Sequence, residues 1–137
     1  MRDTELKRRR DNALYHTYVK SIERYSFSNL REAADFSRRQ KAPEFFITPH
    51  EASLLVGKIQ STTSLIGLHP QLRARAWEIY ARYAAYMKEN PGNTMPRERI
   101  LETIVEEEAP EYYVGVEMAR KILLIERNKR KRKWLER

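Results

Sequence analysis

The stretch Ala42-Pro43-Glu44-Phe45-Phe46-Ile47 returns 67 residues later as Ala109-Pro110-Glu111-Tyr112-Tyr113-Val114, with three positions identical and three conservatively replaced. The correspondence continues at the same offset through Ala52 and Ala119, Leu55 and Ile122, and Val56 and Leu123. Upstream, Leu14-Tyr15 and Tyr18 correspond to Ile79-Tyr80 and Tyr83 if the second half has gained two residues, placed most simply in Asn90-Pro91-Gly92-Asn93. A fixed period of this kind marks internal repetition. The chain therefore reads as a single domain over residues 1–137 made of two diverged copies of one unit. The first repeat is 1–60, the linker 61–68, and the second repeat 69–137.

Working outward from the repeated motif, each copy has the same order of elements. A long helix opens it, with apolar residues at helical spacing: Leu14, Tyr18, Ile22 and Tyr25 in the first copy, and Trp77, Tyr80, Ala84 and Met87 in the second. These are the expected core faces, and core packing is likewise the expected role of Tyr15, Tyr83 and Tyr86. Turns at Ser26–Asn29 and Pro91–Pro96 lead into second helices over about 30–39 and 97–107. The Ala-Pro-Glu motif ends those helices, because the residue before proline is pushed out of the α region and proline has no N–H to continue the ladder.

The aromatic and β-branched trio that follows suits a short extended segment. Phe45–Ile47 and Tyr112–Val114 are expected to pair as a small two-stranded ribbon, since unpaired extended backbone leaves polar groups unsatisfied. Thr48-Pro49-His50-Glu51 then carries the marks of a helix start: a capping hydroxyl, proline at the first position and glutamate to complete a capping box. The second copy has Gly115-Val116 there, and its third helix is predicted from Val116 to near the C-terminus. The fold class is mainly α, with six helices.

Composition agrees with helices. Only four glycines are present, whereas Ala, Leu, Glu, Arg and Lys are abundant. The absence of cysteine excludes disulfides and thiolate metal sites, so a reducing, cytoplasmic setting is expected. Charged residues at the N-terminus and the lack of a long apolar run argue against secretion and membrane insertion.

The net charge of +8 is distributed unevenly. Residues 1–10 carry five basic and two acidic side chains, and residues 127–137 carry seven basic and one acidic, so the middle of the chain is close to neutral. Arg127-Asn128-Lys129-Arg130-Lys131-Arg132-Lys133-Trp134 contains five consecutive cations, which cover every side of a helix and must face solvent or an anionic partner. Such residues neutralise phosphates with release of counterions, and Trp134 is suited to stacking on an exposed base. The predicted nucleic-acid contacts are Arg8, Arg9, Arg10, Lys129, Arg130, Lys131, Arg132, Lys133 and Trp134. A solvated helix end accounts for the same residues without a ligand.

Other chemistries find little footing. The helix-turn-helix order within each copy invites comparison with DNA-reading domains, but Lys41–Thr48 is longer than their turn and the third helix, His50–Lys58, is largely apolar. His16, His50 and His69 lack metal-ligand spacing, and Glu44 and Glu111 are expected as capping or solvent-facing groups. No nucleophile motif or phosphate loop is present, so no catalytic residue, metal, cofactor or small-molecule substrate is expected. The favoured function is a non-enzymatic nucleic-acid-binding protein with little sequence specificity. The rival is a protein-interaction or assembly module whose basic tail meets an acidic partner, homodimeric contacts included. It draws on the charge reversal between Arg38-Arg39-Gln40-Lys41 and Val105-Glu106-Glu107-Glu108.

Overall fold

Prolines and short polar side chains set the helix boundaries. The computed structural model describes residues 2–135; residues 136 and 137, the end of the predicted basic segment, and residue 1 lie outside the described residues. Among the described residues there are six helices: α1 Arg2–Arg24, α2 Leu30–Arg38, α3 Pro49–Gln60, α4 Pro70–Glu89, α5 Arg97–Ile104 and α6 Val116–Leu135. The Asn29 side chain accepts from the Glu32 N–H at 2.9 Å and Thr48 Oγ1 from the Glu51 N–H at 3.1 Å, satisfying N-terminal donors of α2 and α3. Pro49 and Pro70 occupy the first turns of α3 and α4, where their missing N–H costs nothing. None of these helices is long and apolar enough to cross a membrane.

Packing divides the helices differently from their order along the chain. α1, α2 and α6 form one compact unit, and α3, α4 and α5 form the other. Each unit thus takes two helices from one half of the sequence and its third from the other half. In the first unit Leu14, Ala34, Ala119 and Leu123 are fully buried, and in the second Ala52, Val56 and Leu101 are. Burying a leucine side chain stabilises by about 1.5–3 kcal/mol, so these apolar stripes hold each trio of helices together.

Local features recur at the offset of the repeated motif. The Phe45 N–H donates to the Val105 carbonyl in the second unit, and the Tyr112 N–H donates to the Arg38 carbonyl in the first, both at 3.0 Å. Phe46 and Tyr113 both adopt left-handed backbone, with φ of 56° and 57°, and both are buried. This conformation is uncommon for bulky residues and persists here because the ring beyond it is packed.

That turn changes the expected ribbon. The pairing is a single antiparallel bridge between Ala42 and Ala109, with reciprocal N–H···O bonds of 2.9 and 2.8 Å, three residues ahead of the predicted strands. Pro43 and Pro110 follow the bridge without a donor, and the left-handed Phe46 and Tyr113 stop the trio from running as a strand. The second core face also differs. Ala76, Ile79 and Tyr83 are buried in α4, whereas Trp77 is 52% exposed and Met87 36%, so the buried stripe is rotated by one residue from the predicted one. Leu14 and Tyr18 of α1 are buried as expected, but Ile22 and, just past the helix, Tyr25 are about half exposed.

Candidate nucleic-acid interface

The first unit carries the basic segments. The start of α1 and the end of α6 lie side by side, and between them is a cleft of about 590 Å³ lined by Arg8, Arg9, Asn12, Glu126, Lys129, Arg130, Arg132 and Lys133. Six of the predicted contact residues meet there, although more than a hundred residues separate the two clusters in sequence. The cleft does not gather the other three. Arg10 turns to Asp11, with Nη2 2.9 Å from the carboxylate; Lys131 is exposed; Trp134 is 70% exposed.

Arg9 pairs with Glu5 along α1, Nη1 to Oε1 at 3.7 Å, and the other cations in the cleft are of two kinds. Arg130 is an anchor: Nη1 donates to Glu126 Oε1 at 2.6 Å, Nη2 donates to Asn12 Oδ1 at 2.6 Å, and the guanidinium sits 4.1 Å from the centre of the Tyr15 ring. It ties α6 to α1 by a charge-assisted bond and a cation–π contact. Lys129 Nζ also donates to Glu126, at 3.3 Å. By contrast Arg8, Arg132 and Lys133 line the cleft with no ion pair or hydrogen bond among the described residues. Their charge is available to an incoming anion.

Glu126 is the residue that sequence reasoning missed. Its side chain is only 12% exposed, and burial alone would push its carboxyl up; the hydrogen bonds and charges of Arg130 and Lys129 outweigh burial and hold it below the ordinary range. Nearby Asp11 moves the other way: burial raises its carboxyl, Arg10 only partly offsets this, and the Glu126 charge adds to the rise. At the offset of 67, Glu126 stands where the other half has Ile59, and at the upstream offset of 65 Asp11 stands where it has Ala76; both Ile59 and Ala76 are buried. A carboxylate at a position that is apolar in its counterpart was the available signal.

The charge reversal between the halves is met locally. Arg38 and Arg39 pair with Asp35 in the first unit, and Glu107 pairs with Arg82 in the second. Arg31 and Glu117 form a further pair between α2 and α6. No family model matches the chain, and no curated protein or solved structure matches it either.

Proposed function

We propose that this chain is a non-enzymatic nucleic-acid-binding protein that holds phosphates in the α1–α6 cleft with little sequence specificity. The observation that supports it is the convergence of Arg8 with Arg132 and Lys133 across one cleft, also lined by Arg130 and by Glu126 and Asn12, to which Arg130 is bonded. Like charges gathered side by side repel, so the arrangement is most favourable when an anion sits among them. Phosphates bound this way position a nucleic acid but carry no base information. Arg10, Lys131 and Trp134 contribute outside the cleft in the same proposal.

The internal duplication belongs to this proposal, supported by the hydrogen bonds and left-handed residues that recur 67 positions apart. The first unit, which takes α1 and α2 from one repeat and α6 from the other, is then the unit specialised for binding, because its Asp11 and Glu126 stand where the matching positions are apolar. A cytoplasmic setting rests on the cysteine-free composition. Fluorescence anisotropy with labelled DNA and RNA tests the function: affinity should fall steeply with salt and fall again on neutralising Arg8, Arg132 and Lys133.

An interaction module is the second reading, supported by Leu54, Ile66 and Trp77 of the second unit, each more than half exposed. Salt-independent self-association in light scattering, without nucleic acid, would favour it.

A further inference from the structure

We infer that the nucleic acid held by this protein is single-stranded, and that its bases stack on the half-exposed Tyr25 of an aromatic cluster at the α1–α2 turn. The inference rests on the phosphate-binding reading above but on different residues. Tyr25, immediately after α1, has its ring centre 5.1 Å from that of Phe36, and Phe36 lies 5.5 Å from Phe27. None of the three is buried, and Tyr25 is 50% exposed. Three linked rings left partly in water forgo much of the burial that aromatic side chains ordinarily contribute.

Tyr25 also stands as a ridge between two hollows. One, of about 340 Å³, is lined by Ile22, Phe27, Leu30 and Arg127, among others. The other, of about 220 Å³, is lined by Lys20, Arg24, Phe36 and Gln40, among others. Arg127, Lys20 and Arg24 have no ion pair or hydrogen bond among the described residues. A half-exposed Tyr25, backed by two partly exposed rings and flanked by available cations, is the arrangement by which a strand is gripped without base readout: phosphates on the cations, base faces on the ring.

A duplex cannot use it, because its base faces are stacked inside the helix and only their edges reach the grooves. The placement along the unit is consistent with one continuous strand. Arg127 lies one turn before Arg130 on α6, and Tyr25 lies seventeen residues after Arg8, or about 25 Å at a helical rise of 1.5 Å. Such a path accommodates several nucleotides, within the range of roughly 4–16 that single-strand sites occupy.

The test is anisotropy of the full chain with a labelled 20-nucleotide thymidine strand and with a 20-base-pair duplex, at matched salt. The single strand should bind more tightly. Tyr25→Ala should weaken single-strand binding about tenfold, leave duplex binding and the salt slope unchanged, and leave the melting temperature within error, while Tyr25→Phe should bind as the unsubstituted chain does. Unchanged single-strand affinity in Tyr25→Ala, or a preference for duplex, would overturn the inference. If duplex is preferred and neutralising Arg8, Arg132 and Lys133 still weakens binding and lowers its salt slope, the phosphate reading survives and the single-strand inference alone fails. Binding to neither probe overturns both.

Discussion

Replacing Glu126 with glutamine separates what this carboxylate does for the fold from what it does to the cleft. In the fold it accepts from Arg130 at 2.6 Å and from Lys129 at 3.3 Å with its side chain largely buried. Glutamine keeps a carbonyl oxygen for Arg130 but loses the charge. Hydrogen bonds to charged groups contribute about 1.5–3 kcal/mol and neutral ones about 0.5–1.5, so the expected loss is about 1 kcal/mol. The half-exposed Lys129 adds well under 1 kcal/mol. Because the folded carboxyl lies below its unfolded value of 4.5, this stabilisation is present above that value and lost as pH falls through the folded one.

The stability gap between the two proteins should therefore exist at neutral pH, begin to narrow below pH 4.5 and close once pH passes the lower folded value. For binding the sign reverses. Removing one negative charge from the cleft is equivalent to about one further phosphate neutralised, a gain of about fourfold at 0.15 M salt for a single strand. Urea denaturation at pH 7 and pH 4 and anisotropy on the same samples give both numbers. A variant that binds more weakly, or one as stable as the parent at pH 7, would refute the reasoning.

Two further outcomes follow from the same geometry. Glutamine at Arg8, Arg132 and Lys133 together should lower single-strand affinity about fiftyfold at 0.15 M salt and reduce the slope of log affinity on log salt by about 2, with thermal melting unchanged. Leu14→Ala and Leu123→Ala, both at fully buried positions, should each cost about 2–5 kcal/mol in denaturant titrations while leaving the cleft residues in place.

The helices were legible because their ends are written locally: Asn29, Thr48, Pro49 and Pro70 act on the residues beside them. The α4 stripe was misread because Trp77 and Met87 offer far more apolar surface than Ala76, yet it is the small alanine that is buried. The ribbon failed at Phe46 and Tyr113, whose left-handed backbone is imposed by burial and not by residue preference. The division of the helices into units was hidden for a similar reason, since α6 packs on α1 across the whole length of the chain.

The cleft repeats that pattern. Both basic clusters stood out as charge runs, but their meeting depends on the long-range packing of α6 against α1, which no local signal reports. Arg130 was grouped with its neighbours as a phosphate contact, whereas its bonds to Glu126 and Asn12 make it a strut. Asn12 carries no signal in the sequence and Tyr15 reads there only as a core aromatic, and both acquire this role through their contacts with Arg130.

The central claim is tested most directly by titrating the full chain against a labelled 20-nucleotide single strand from 50 to 300 mM salt. With Arg8, Arg132, Lys133 and the aromatic-turn cations Lys20, Arg24 and Arg127 each meeting a phosphate, log affinity should fall linearly with log salt at a slope near −4. Absence of binding at 50 mM salt, or an affinity indifferent to salt, would contradict it.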